Sequence, residues 1–147
     1  MKQYSYLIKP TSSLCNLECK YCFYHDISSH RVEASNGIMN DSTMRMLIKK
    51  ACQVSDASEV NFAFQGGEPT IAGLGYFRKF LEFVDQQKSK EQIIRYSIQT
   101  NGTLLNRMVA SIRVIFTYWM NIEAGTSTLI QSRVFNQAQS MKCLFMR

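Results

Sequence analysis

Cys15-x-x-x-Cys19-x-x-Cys22, within residues 13–24 (SLCNLECKYCFY), places three thiols in one short stretch of the chain. Three closely spaced thiolates can bind three irons of a cubane iron–sulfur cluster, and the fourth iron then keeps an open coordination position. Ferredoxin clusters and structural zinc sites typically use a fourth protein ligand. The two other cysteines of the chain are distant in sequence. The spacing therefore predicts a cluster-binding loop with one open iron.

Strand and helix patterns alternate around this loop up to about Asn106. Apolar side chains alternate with others at residues 4–8, 60–64 and 94–98, which predicts three strands. Apolar residues recur every three or four positions in 44–51 and 77–84, which predicts two helices, with Cys52 buried beside the first. Strand–loop–helix units in series are typical of a parallel sheet of the α/β class, whose functional residues lie at the carboxyl ends of the strands.

Two further loops follow predicted strands. The second strand runs into Gln65-Gly66-Gly67-Glu68-Pro69, and the third runs into Asn101-Gly102, a turn by default. Glycine lets the backbone approach a neighbouring group closely. All three loops are predicted at the same edge of the sheet.

These strings together resemble the radical S-adenosylmethionine (radical SAM) enzymes, and more narrowly the N-terminal portion of the anaerobic sulfatase-maturating enzymes. The resemblance runs from about Lys2 to Asn106 without a gap. It implies the first three β/α units of a partial (β/α)6 barrel, with residues 1–106 as the N-terminal half of the radical SAM domain. It also implies two cofactors, a 4Fe–4S cluster and S-adenosylmethionine.

The resemblance also implies a reaction and a set of partners. In such enzymes reductive cleavage of S-adenosylmethionine yields a 5′-deoxyadenosyl radical, which abstracts hydrogen from a sulfatase cysteine or serine that becomes formylglycine. The implied partners are therefore a sulfatase polypeptide and an electron donor such as flavodoxin or ferredoxin. Because the second half of the domain is not matched, we expect no catalytic residue in this chain and little or no turnover by it alone.

By match of position, the resemblance assigns roles to individual residues. The expected cluster ligands are Cys15, Cys19 and Cys22. The expected S-adenosylmethionine contacts are Tyr21 near the adenine, and Gly66, Gly67 and Glu68 near the methionyl ammonium. Tyr24 and Gln65 are expected to face the peptide substrate.

Two alternatives remain open at this point. The three cysteines and His25 also have a workable spacing for a Cys3His zinc site, which would make the chain a non-catalytic zinc-binding module. The chain could also be another peptide-modifying radical enzyme that does not act on sulfatases.

Composition favours an ordinary globular protein of the cell interior. The net charge is +6, but the basic residues are scattered, so no nucleic-acid partner is predicted. No apolar run reaches the roughly 18–20 residues that span a membrane, and no signal stretch is recognised at the amino terminus. An odd number of cysteines, five, argues against a disulfide framework and for a reducing compartment, so we expect a cytoplasmic location.

The pattern changes after Asn106. Residues 107–147 contain five basic residues and one acidic residue, Glu123, and a single glycine, Gly125. We interpret this segment as an atypical tail without family resemblance, produced by a change of reading frame. The third strand is then expected to lack a neighbour on its outer side and to present an unpaired edge.

Overall fold

A computed structural model describes residues 2–19, 22, 27–28, 30–54, 57–104, 122–124 and 128–130. For residues 57, 122–124 and 128–130 the description covers the backbone alone. The elements in chain order are β1 (Lys2–Ile8), α1 (Asp41–Cys52), β2 (Ala57–Phe64), a 3-10 helix (Pro69–Ala72), α2 (Gly73–Gln87), β3 (Ile93–Gln99), β4 (Ile122–Ala124) and β5 (Thr128–Ile130). The predicted α/β class, its three strands and both helices are confirmed.

The sheet has the order β1-β2-β3-β4-β5. The first three strands are parallel, with Tyr6 opposite Phe62 and Phe62 opposite Tyr96. Near the amino-terminal ends of these strands, the Glu59 carboxylate accepts hydrogen bonds from Gln3 Nε2 at 3.0 Å and Arg95 Nε at 2.6 Å. One side chain therefore joins all three strands at the end opposite their following loops.

The expectation of an unpaired third strand is wrong. β4 pairs in parallel with the carboxyl end of β3, through Ile98 opposite Ile122 and Gln99 opposite Glu123. β5 then pairs antiparallel with β4. The main-chain groups at the end of β3 therefore pair with β4. The sequence pattern around β4 does not predict a strand.

The core lies between the sheet and the two helices. Phe80 of α2 packs edge-on against Phe62 and Phe64 of β2, with ring centroids 5.1 and 5.0 Å apart. Met44 and Ile48 of α1 are fully buried in the same cluster. Burial of these side chains is the main stabilisation of the α/β layer. Cys52 is buried at the end of α1, as predicted.

Local signals explain where α1 begins. Asn40 has an extended backbone, and its side-chain oxygen accepts a hydrogen bond from Thr43 N at 2.9 Å. This satisfies one of the amide donors that have no partner within the first helical turn. Across the parts of the chain that the structure describes, no helix combines the length and apolarity that crossing a membrane requires.

Candidate functional site

Three loops meet at the carboxyl edge of the parallel strands, because β1, β2 and β3 run in the same direction. The first is the cysteine loop, residues 9–22; the second is the Gly-Gly-Glu loop, residues 65–68; the third is the Asn-Gly loop, residues 100–103. The predicted convergence of these loops at one edge is confirmed.

Backbone contacts clamp the cysteine loop onto the Gly-Gly-Glu loop. Glu68 N donates to Leu14 O at 2.7 Å, and the buried Thr11 hydroxyl lies 3.4 Å from the carbonyl oxygens of both Gly66 and Glu68. A Cβ on Gly67, which has φ +50°, would overlap the Leu14 carbonyl oxygen. Glycine is therefore required at Gly67 by the approach of the chain's own cysteine loop.

The three cysteines share one loop but differ in exposure. Cys15 is exposed, whereas Cys19 and Cys22 are half-buried, and Cys22 N donates to Cys19 O at 3.0 Å. Within the described ranges, no three His, Cys, Asp or Glu side chains form a group that could hold one metal ion. Each thiolate of a cubane binds its own iron, so a cluster does not need three sulfurs to meet at a single ion. The donor set of three thiols on one clamped loop fits such a cluster.

Zinc places a stricter demand on the same residues. Its four ligands must converge on one ion, with Zn–S distances of about 2.3 Å. The three cysteine thiols do not form such a group in this structure. His25, the fourth ligand of the zinc alternative, lies outside the described residues.

Some of the groups around Cys15 raise the pKa of its thiol and others lower it. Protein atoms around the exposed side chain raise the pKa of Cys15 above its ordinary value of 9.0 by desolvation, and the charge of Glu68 adds to the rise. Hydrogen bonds from the Leu17 backbone and from the Asn101 amide lower this pKa. Asn101 Nδ2 lies 3.7 Å from Cys15 Sγ. The Asn-Gly loop therefore contacts the first cysteine of the motif.

Glu68 is the buried charge of the site. Its Oε1 accepts hydrogen bonds from Thr70 N at 2.9 Å, from the Thr70 hydroxyl, and from Thr100 Oγ1 at 2.7 Å. Its Oε2 accepts one from Asn101 N at 2.7 Å. All four donors are neutral, so they stabilise the carboxylate without cancelling its charge. The carboxylate joins the second and third loops and caps the 3-10 helix.

Of the remaining predicted site residues, the structure describes Gln65 alone. Gln65 is half-buried at the end of β2, and its backbone N–H donates to Ile8 O at 2.9 Å. Tyr21 and Tyr24 lie outside the described residues, so their predicted roles stay predictions.

The side chains that hold the Glu68 carboxylate and join the loops are not among the predicted site residues. Thr11, Thr70 and Thr100 are all buried polar residues. A usable signal was present, because a hydroxyl residue stands two positions after Glu68 and another at the end of the third strand. Buried carboxylates need such donors, and the ends of parallel strands are where the donors can meet.

Comparison with known proteins gives matches to anaerobic sulfatase-maturating enzymes. A Cysteine-type anaerobic sulfatase-maturating enzyme of Clostridium novyi is 45% identical over 106 residues, which is 72% of this chain and 28% of that protein. A Serine-type anaerobic sulfatase-maturating enzyme of Klebsiella pneumoniae is 38% identical over 102 residues, 68% of this chain and 25% of that protein. The chain thus spans about a quarter of the length of these curated relatives.

Solved structures agree with this similarity. Native anSMEcpe with bound AdoMet superposes with a TM-score of 0.71 at 40% identity, covering 82% of this chain and 32% of that one. Native anSMEcpe with bound AdoMet and Kp18Cys peptide gives a TM-score of 0.73 at 33% identity, covering 98% and 40%. The model of the Radical SAM superfamily matches residues 10–133, well over half of the sequence. The cysteine loop, the Gly-Gly-Glu loop and the parallel sheet that carries them therefore belong to a member of the radical SAM superfamily.

Proposed function

We propose that this chain is the N-terminal portion of an anaerobic sulfatase-maturating enzyme, with a 4Fe–4S cluster on Cys15, Cys19 and Cys22 and S-adenosylmethionine beside it. The observation that carries the proposal is the clamp between the cysteine loop and the Gly-Gly-Glu loop, through Glu68 N and Leu14 O. Both kinds of relative named above, and a neighbouring structure with AdoMet bound, support it.

The Gly-Gly-Glu loop would hold the methionyl end of S-adenosylmethionine. Gly66 and Gly67 supply backbone without side chains at the edge of the sheet, and both have positive φ. The Glu68 carboxylate is surrounded by neutral donors, so its negative charge remains to attract an ammonium group at short range. Tyr21 is proposed to lie near the adenine.

When bound, the cluster supplies the electron that cleaves S-adenosylmethionine, which starts oxidation of a sulfatase cysteine or serine to formylglycine. This chain's own part is to hold the two cofactors next to each other at one edge of the sheet. Gln65, at the end of β2, and Tyr24 are proposed to face the peptide. Flavodoxin or ferredoxin is the class of electron donor proposed.

We propose that the chain alone has little or no turnover on a sulfatase. It corresponds to about a quarter of its relatives, and its described residues form two β/α units followed by a third parallel strand and two short strands. For residues 107–147 the change of reading frame remains our hypothesis. Sequencing the gene locus tests it, because downstream DNA in another frame should then encode the remaining radical SAM motifs.

Anaerobic reconstitution with iron and sulfide tests the cofactor assignment. We expect a visible absorption band of thiolate-ligated iron–sulfur, and release of methionine and 5′-deoxyadenosine from S-adenosylmethionine after chemical reduction. Cys15→Ala should lose the cluster, whereas Cys52→Ala, outside the loop, should keep it. Tight uptake of zinc with no iron incorporation would contradict the proposal and favour the zinc module.

The substrate assignment needs a separate measurement. Formylglycine formation on a sulfatase peptide, assayed by mass spectrometry, should be found with the gene product that carries the complete domain and not with this chain. Cleavage of S-adenosylmethionine without formylglycine in the complete protein would favour another peptide-modifying radical enzyme.

A further inference from the structure

One amide side chain of the Asn-Gly loop reaches the first cysteine. Asn101 Nδ2 lies 3.7 Å from Cys15 Sγ, and the sulfur of a cysteine is a weak acceptor that becomes stronger as a thiolate. The contact crosses from the loop after β3 to the loop after β1. It is therefore a tertiary contact, and no local turn geometry requires it.

The orientation of the Asn101 amide follows from its neighbours. Thr103 N, which can only donate, lies 3.0 Å from Asn101 Oδ1, so this end of the amide must be the oxygen. The nitrogen end consequently faces Cys15. The donor in this contact is assigned by chemistry, since an exchanged amide would place two donors against each other.

A closed ring of hydrogen bonds holds both partners. Asn101 Nδ2 donates to Asn16 Oδ1 at 3.0 Å, Asn16 Nδ2 donates to Thr103 Oγ1 at 2.8 Å, and Thr103 Oγ1 donates to Asn101 Oδ1 at 2.7 Å. Asn16 directly follows Cys15 in the chain. The ring therefore holds both the Asn101 amide and Asn16, the residue next to Cys15, in place.

The backbone of Asn101 is fixed independently of the ring. Asn101 N donates to the buried Glu68 carboxylate at 2.7 Å, and the preceding Thr100 donates to the same group. A charged acceptor makes such a bond stronger than one between neutral groups. Asn101 is thus held from both its backbone and its side chain, and its amide is preorganised toward Cys15.

We propose that Asn101 is a positioning residue that donates an N–H···S hydrogen bond to Cys15 and raises the reduction potential of the cluster held there. This inference rests on the proposed function. One-electron reduction by an external low-potential donor adds negative charge to the cluster and its thiolates. The partial positive charge of the amide hydrogen stabilises that reduced form more than the oxidised form, and hydrogen bonds to the sulfurs are among the features that set cluster potentials.

The test is a redox titration of the reconstituted chain, with mediator dyes and the electron paramagnetic resonance signal of the reduced cluster. For Asn101→Ala we expect reduction to become three- to tenfold less favourable, which at about 59 mV per tenfold is a negative shift of about 30–60 mV. Asn101→Asp keeps the size and the acceptor for Thr103 but removes the donor, so its potential should fall at least as far. Iron content per chain is measured in parallel to show that each variant holds a cluster.

Thr103→Val is the matched control. It removes the hydroxyl of the ring, but the backbone N–H of residue 103 still donates to Asn101 Oδ1, so the potential should shift by clearly less than in Asn101→Ala. Equal shifts in Thr103→Val and Asn101→Ala would overturn the role of the amide. Unchanged potentials in both Asn101 variants would overturn this inference alone. Failure of the unsubstituted chain to assemble a cluster would overturn the proposed function together with the inference.

Discussion

At the scale of single residues, contacts within the chain decide which residues occupy the Gly-Gly-Glu loop. Gly67 has no side chain because the Leu14 carbonyl occupies that space, and Glu68 is buried because four donors surround its carboxylate. The sequence pattern was enough to select both residues. Their contacts could not be predicted, because the donors and the carbonyl come from loops after three different strands.

Replacement of Gly67 should be costly. Gly67→Ala places a Cβ against the Leu14 carbonyl at a positive φ, and a non-glycine residue in that region costs about 1–3 kcal/mol before the overlap is counted. Urea denaturation should show at least this loss in the free energy of unfolding. Gly75→Ala is the control, since Gly75 lies in α2 with no atom within 4 Å of its added Cβ. Equal stabilities of the two variants would contradict the overlap.

Neutralising Glu68 should also destabilise the chain. Glu68→Gln leaves one acceptor oxygen and turns an amide donor toward existing donors, and each unsatisfied buried group costs about 1–3 kcal/mol. The free energy of unfolding should fall by at least that amount. Glu82→Gln, on the exposed surface of α2, should change it by no more than about 0.5 kcal/mol. A Glu68→Gln chain as stable as that control would show that the four hydrogen bonds contribute nothing.

At the scale of elements, the spacing of apolar residues predicts the helices and strands that bury an apolar face. The helices α1 and α2 and the strands β1 to β3 each show it, because their side chains fill one core. The 3-10 helix and β4 are only four and three residues long and have no period to detect. β4 also depends on β3 for its hydrogen bonds, so its pairing is a property of the folded chain.

The start of α1 offers a test at this scale. Asn40→Ala removes the oxygen that accepts from Thr43 N, and loss of such a cap costs about 0.5–2 kcal/mol. Thermal or urea unfolding should show that decrease. Asn40→Asp keeps a capping oxygen and should retain the original stability. If Asn40→Ala and Asn40→Asp behave alike, the cap is not what stabilises the start of α1.

At the scale of the whole molecule, the α/β layer covers much of two tyrosines: Tyr76 of α2 is buried, and Tyr96 of β3 is half-buried and stacks on Phe62. Burial raises the pKa of Tyr76 and of Tyr96 above the ordinary value of 10.0. Both hydroxyls therefore stay protonated in the folded chain at pH values where they ionise in the unfolded chain. This favours unfolding only in alkaline solution.

The sign of the alkaline effect follows from proton binding. Above about pH 10 the unfolded chain has released these protons and the folded chain has not, so stability falls as pH rises, by up to about 1.4 kcal/mol per pH unit for each tyrosine. Urea denaturation from about pH 8 to about pH 11 should show this fall. The double variant Tyr76→Phe, Tyr96→Phe should lose most of the slope. An unchanged slope in the double variant would assign the alkaline loss to other groups.

The parallel pairing of β1 with β2 also determines an order of events during synthesis. β1 and the cysteine loop leave the ribosome before β2, which begins at Ala57, and before residue 101, whose amide reaches Cys15. Such contacts between distant residues slow folding, because a long loop must close before any of them forms. The three thiols are therefore made well before the loops that hold them. The nascent chain therefore passes through a period in which its cysteine loop has been synthesised but the loops that contact it have not.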